Sequence, residues 1–347
     1  MSAMKRPFYR RKWFLWPVGI IGGGALAILL AFNLSPWPGA LLIRTVFENN
    51  AADVKAAMEK HAPDGVASIR DQQYRPGDDD AMLDVYFPEG TADGEALPTL
   101  VWTHGGAWLS GNKEDAAPYF ELIASEGYTV VALEYSLAPE KTYPTPIHQI
   151  NDALAYIQEN AARFHIDPDN IIMAGDSAGA QLTSQMAAII TNPDYAEALD
   201  ITPSLRAEQL RGVVLTCGIY DMEVFLERGD MISGGILGWG VGVTTWAYTG
   251  SRDHDSPVLD EMSTIDHVTA EFPPAFITGG NDDPLTDSQS KPLAGRLDEI
   301  GVETTTLFYP ADHEPKLGHE YQFDLDNEDG QNALKEILAF MKAHTAP

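Results

Sequence analysis

From Gly77 onward, short runs of β-branched and apolar residues alternate with stretches whose apolar positions recur every three or four residues. The strand-like runs are 82–87 (MLDVYF), 98–103 (PTLVWT), 128–134 (YTVVALE), 171–175 (IIMAG), 213–217 (VVLTC), 275–279 (AFITG) and 304–309 (TTTLFY). Helical spacing places Ile147, Ile150, Leu154 and Ile157 on one face of 146–162, and Leu334, Ile337, Leu338 and Met341 on one face of the last segment. This alternation predicts an α/β fold, a mostly parallel central sheet with helices on both faces. Glycine-rich 229–250, uncharged after Asp230, reads as a mobile loop or a cap element and not as a strand.

The N-terminal part follows a different pattern. Lys5, Arg6, Arg10, Arg11 and Lys12 precede an uncharged run from Trp13 to Leu34. At about 1.5 Å per residue such a helix crosses a hydrocarbon core of roughly 30 Å. Bases before the span and Trp13, Phe14 and Trp16 at its mouth predict a cytoplasmic basic tail (1–12), a transmembrane signal anchor (13–34) and an extracytoplasmic remainder, periplasmic if the source is bacterial. A cleaved signal ending near Ala25-Leu26-Ala27 fits less well, because five further apolar residues follow it. Pro36, Trp37, Pro38 and Gly39 then break the helix, and 35–75 reads as a linker with one or two cap helices ahead of a catalytic domain over 76–347.

Composition narrows the function. With 44% hydrophobic and 21% charged residues in 347, the chain can bury a sizeable core, which excludes general disorder. Its 51 acidic against 22 basic residues give a formal charge of -29, which repels nucleic acid. Cys217 is the single cysteine, so there is no internal disulfide, and the histidines show no metal-ligand spacing. Cys217 itself reads as a small buried hydrophobe.

The chemistry centres on Gly175-Asp176-Ser177-Ala178-Gly179, directly after one apolar strand and directly before a helical run. Small neighbours let strand and helix backbones nearly touch, lifting the Ser177 hydroxyl clear of the sheet as a nucleophile. The oxyanion formed by its attack on a carbonyl needs waiting N–H groups; Gly105 and Gly106 of His104-Gly105-Gly106-Ala107-Trp108, with Ala178, are expected to supply them. A base and an orienting carboxylate must complete the set. Asp282 and Asp283 follow one strand and His313 and His319 another, in the chain order Ser, Asp, His.

These motifs resemble those of the hormone-sensitive-lipase-like family of α/β-hydrolases, the carboxylesterase and lipase group, over about 75–345. Besides HGGAW and GDSAG, 134–154 (EYSLAPEKTYPTPIHQINDAL), 256–260 (SPVLD) and 281–287 (NDDPLTD) match family segments in order. The resemblance implies an α/β-hydrolase fold with a small helical cap, Asp283 as the triad acid, and a serine esterase, whose chemistry requires no cofactor. The helices expected over 41–60 and the glycine-rich run 229–250 are expected to cover the pocket and limit the acyl group, favouring short- to medium-chain esters. The chain departs from the family at Ala107, where a third glycine is usual, and at Glu320-Tyr321, where Gly-Phe usually follows the base. His313 lies thirty residues beyond Asp283, near the family spacing, and His319 thirty-six. The interval from His319 to the last helix suits the base better, and His313 is flanked by Asp312 and Glu314, which favour its cationic form, so His319 is the expected base. Two other readings share these motifs: a formamidase of the kynurenine formamidase type, and a non-catalytic binding protein on the same fold.

Overall fold

The computed structural model describes residues 12–231 and 236–345. The expected basic tail, apart from Lys12, and four residues of the glycine-rich run lie outside them. An eight-stranded sheet in the order β1-β2-β4-β3-β5-β6-β7-β8 organises the described residues. Its strands are β1 (Val66–Gln73), β2 (Met82–Pro88), β3 (Leu97–Thr103), β4 (Thr129–Leu133), β5 (Ile166–Asp176), β6 (Leu210–Thr216), β7 (Ala275–Gly279) and β8 (Thr304–Phe308). β2 pairs antiparallel with both β1 and β4, and β3 to β8 form the parallel part. All seven expected strands are present. β1 was not expected; it lies in the segment read as linker.

Successive strand residues point to opposite faces and so feed two cores. Ile171 and Met173 of β5 pack toward α4 (Thr145–Glu159) and α6 (Ser177–Thr191), together with Val101, Val131 and Leu215. Ile172 and Ala174 pack on the other side with Leu100, Trp102 and Val214, beneath α3 (Ala117–Ser125) and the last helix, α12 (Glu328–Thr345).

Two helices lie N-terminal to the sheet: α1 (Lys12–Leu34) and α2 (Trp37–Met58). Among the described residues no single helix is long and apolar enough to cross a membrane; Gly22–Leu34 reaches that measure only together with Trp37–His61, and the two are bent by 83°. The expected span over 13–34 is therefore not shown. The bend falls at Ser35-Pro36-Trp37-Pro38, where proline cannot continue the helical hydrogen bonds. The glycine-rich run, read as a mobile loop or a cap element, is helical where it is described: α8 (Met222–Met231) and α9 (Ile236–Thr249) pack together, and α9 also lies against α2. The remaining helices are α5 (Ala161–Phe164), α7 (Pro193–Ala198), α10 (Pro257–Met262) and α11 (Lys291–Ile300).

Candidate active site

The C-terminal ends of β3, β5, β7 and β8 meet on one side of the sheet, where open α/β folds gather their ligands. β5 ends at Asp176 and α6 begins at Ser177, whose φ of 50° is the sharp turn expected of a nucleophile lifted from the sheet. Gly179 cannot be larger: a Cβ there would sit 2.1 Å from the carbonyl oxygen of Thr103 on β3. Close contact of this kind holds helix and strand together and fixes the position of Ser177.

Ser177, His319 and Asp283 come together from three segments. The Ser177 Oγ lies 2.9 Å from His319 Nε2, and His319 Nδ1 lies 2.9 Å from Asp283 Oδ2. The Asp283 carboxylate is fully buried and His319 is 38% exposed, so the imidazole bridges an interior charge and an accessible hydroxyl. Burial works against a charged imidazole, but the hydrogen bond it donates to Asp283 and the charges of Glu320, Asp283 and Asp176 outweigh it, raising His319 from 6.5 to about 9. His313 is elsewhere: its Nε2 lies 2.8 Å from Asp329 Oδ2 at the start of α12. Asp282 does not enter the relay; its N–H donates to the Leu317 carbonyl and supports the loop that carries His319.

The expected oxyanion donors need one correction. Gly105 N–H donates to Asp176 Oδ2 at 2.8 Å, so it is already spent. Gly106 and Ala107 follow it with φ of 101° and 56°, and their N–H groups have no partner among the described residues. Ala178, second in α6, has no carbonyl four residues earlier in its own helix for its N–H to meet. Gly106, Ala107 and Ala178 are thus the donors available beside Ser177. Trp108 anchors this segment: its indole stacks on Tyr248 of α9 at 4.9 Å and its Nε1 donates to Gln181 of α6.

Asp176 and Glu320 form a pair that sequence reading missed. Asp176 accepts from Trp102 Nε1 at 2.7 Å and from Gly105 N–H, and the charge of Glu320 acts on it. Burial, then the charge of Glu320, pushes Asp176 well above the usual carboxylate range. Glu320 Oε1 lies 3.7 Å from His319 Nε2. The one sequence signal was the departure itself, a glutamate at the position after the base.

Cys217 Sγ, an Asp283 oxygen and a His319 nitrogen lie within 4.8 Å of one another. Burial, then nearby carboxylates, pushes the thiol well above its usual value and keeps it protonated, while the other two atoms engage each other, so the cluster is poorly suited to a cation.

A cavity of about 300 Å³ opens over Ser177. Trp102, Phe120 and Phe323 line its floor, Gly106 and His319 its reactive side, and Phe47, Ala51 and Val54 of α2 one wall. α2, in the segment read as linker and cap helices, lines the pocket, whereas the glycine-rich helix α9 lines a separate recess beside Phe32 and Arg252.

Sheet, elbow and buried relay define an α/β-hydrolase of the hormone-sensitive-lipase-like kind. The chain belongs to the BD-FAE family, whose model matches residues 83–297. Esterase LipQ of Mycobacterium tuberculosis is 28% identical over 243 residues, 69% of this chain and 55% of LipQ. The chain therefore spans little more than half the length of that relative. An alpha/beta hydrolase of Acanthamoeba polyphaga mimivirus is 26% identical over 320 residues, covering 87% of this chain and 86% of its own. Among solved structures, esterase B from Lactobacillus rhamnosis is similar in fold, with a TM-score of 0.76 at 23% identity over 89% of this chain and 96% of that one.

Proposed function

We propose that the protein is a serine carboxylic ester hydrolase acting on short- to medium-chain esters through an acyl-enzyme. Ser177 Oγ attacks the ester carbonyl while His319 Nε2 takes its proton, and Asp283 holds the imidazole by its Nδ1–H. The carbonyl oxygen, now negative, is received by the N–H groups of Gly106, Ala107 and Ala178. Collapse expels the alcohol, which takes the proton from His319. Water, deprotonated by the same imidazole, then attacks the acyl-enzyme and releases the acid and the free serine. The observation that carries this reading is the Ser177–His319–Asp283 relay, at 2.9 Å in both contacts, opening on an apolar cavity. The esterase names of LipQ and of the solved neighbour support it. A cavity of about 300 Å³ is at the small end for ligand sites and favours short and medium acyl groups. The formal charge of -29 disfavours anionic substrates at low salt.

The uncharged run 13–34 after five bases supports an anchor that keeps the N-terminus cytoplasmic and the hydrolase domain outside. A fluorophosphonate probe should label the protein at Ser177, and Ser177→Ala should lose labelling and about 10⁴-fold of p-nitrophenyl butyrate turnover. Turnover that survives this change would refute the reading, and faster turnover of N-formylkynurenine than of the ester would move it to amide hydrolysis.

A further inference from the structure

Every large apolar side chain that is exposed among the described residues belongs to 26–47, apart from Trp239, and Trp239 lies 6.3 Å from Phe32 of α1. One continuous patch therefore runs down α1 and onto the first half of α2 through Leu34, Trp37, Leu41, Leu42, Val46 and Phe47. A soluble surface rarely tolerates an apolar patch of this kind without a partner to cover it.

The bend identifies the partner. If α1 inserts along the membrane normal, a helix at 83° to it runs almost parallel to the membrane plane. From Trp37 to Phe47 the chain advances about 15 Å along α2 at 1.5 Å per residue, yet leaves the membrane by only about 2 Å. Phe47 is both the end of the exposed patch and part of the wall of the Ser177 cavity. Around the C-terminal end of α1 lie Trp37, Trp239 and Trp246, with the Arg252 guanidinium 3.6 Å over the Trp246 ring and 3.4 Å from the Phe32 carbonyl. Indoles and an arginine at one level mark the headgroup depth in membrane proteins. A formal charge of -29 gives no attraction to anionic lipid, so contact depends on the apolar face and suits a zwitterionic surface.

We infer that α2 lies flat in the interface of a zwitterionic bilayer and holds the mouth of the Ser177 cavity at the lipid surface, so that the substrate is a short- to medium-chain acyl ester of a lipophilic, membrane-resident alcohol. This rests on the esterase and anchor readings above. The small cavity takes the acyl group, and the lipid phase holds the alcohol part until it is released.

The experiment uses the full chain in phosphatidylcholine vesicles and compares butyrate release from hexadecyl butyrate in the bilayer with that from p-nitrophenyl butyrate in solution. Leu42→Glu/Val46→Glu changes two side chains that do not line the cavity. It should lower kcat/KM for the bilayer ester tenfold or more and leave the soluble ester within twofold. Equal effects on the two esters, or no hydrolysis of the bilayer ester by the wild type, overturn the inference; failure on both esters instead removes the esterase reading. A second measurement is independent of activity. Cys217 is buried, so a nitrobenzoxadiazole label on Val46→Cys reports one site. Nitroxide lipids should quench it, but should not quench a label on Asp93→Cys, in the loop before β3 at the opposite end of the sheet. An unquenched Val46 label, or a Leu42→Glu/Val46→Glu protein that becomes monomeric from a dimer while keeping its bilayer activity, would assign the patch to a second copy and overturn the inference.

Discussion

Glu320 occupies a left-handed backbone conformation, φ 60°, beside His319, the base of the proposed mechanism, and this placement sets how the site responds to pH. The base must be neutral, and His319 is raised to about 9, so kcat/KM for p-nitrophenyl butyrate should climb with pH through that region. Glu320→Gln deletes one of the charges that raise the imidazole. Its pH–rate profile should therefore shift toward lower pH; an unchanged midpoint would mean that Glu320 is electrically silent. His319→Ala should cost about 10⁴-fold or more in kcat, whereas His313→Ala should keep most activity and lose only the part-buried contact to Asp329, about 1 kcal/mol by thermal melting. His319 was legible because its distance to the last helix is a local property of the chain. Which N–H of the glycine pair stays free was not, because Asp176, seventy-one residues from Gly105, decides it. Nor could Glu320 be paired from sequence, since its partner is the residue before the nucleophile.

At the scale of elements, strands buried on both faces announced themselves as apolar runs. β1 did not, because VASIRDQQ is an edge strand with no fully buried residue. The whole of α6 is buried, so no polar stripe marks it and only the elbow before it gave it away. α8 and α9 were obscured by glycine, which lowers helix propensity in isolation; the close approach of α9 to α2 is made at Gly39 of α2, where a Cβ would sit 2.9 Å from Val243. β1 is held to the oxyanion segment by charge. Asp84 of β2, fully buried, meets Arg70 of β1 at 3.0 Å and Lys113 at 3.0 Å, and Lys113 also reaches Asp71. Asp84→Ala leaves two cations without their buried partner and should cost about 3–5 kcal/mol in urea denaturation. Because Lys113 follows the Gly105-Gly106 turn, the same change should also lower kcat more than it raises KM. A loss below about 1 kcal/mol would show that Asp71 alone satisfies Lys113.

For the molecule as a whole, the sequence pattern carries a prediction of address. The full chain should sediment with membranes and need detergent for release, and a reporter fused after Pro347 should be active only outside the cytoplasm. Recovery as a detergent-free soluble protein would remove the anchor. The fold class was legible at this scale because seven strands and their order of motifs lie within one contiguous stretch. The 83° bend was not, since two prolines predict an interruption without giving its angle.

That α2 forms one wall of the cavity makes it hazardous to trim the protein. A protease, or a cloning boundary, that cuts near Leu34 removes only α1 and should leave butyrate turnover intact. One that cuts near Asp64, where the compact sheet domain begins, also strips away Phe47, Ala51, Val54 and Met58 and leaves Trp102, Phe120 and Phe323 facing water. The shorter product keeps its nucleophile, base and acid, and so still reacts with a fluorophosphonate. It should nonetheless bind butyrate esters poorly, accept bulkier acyl groups in the open trough and aggregate more readily. If the proposed anchor holds the protein at a membrane, a cut at the second position would release a protein of different selectivity.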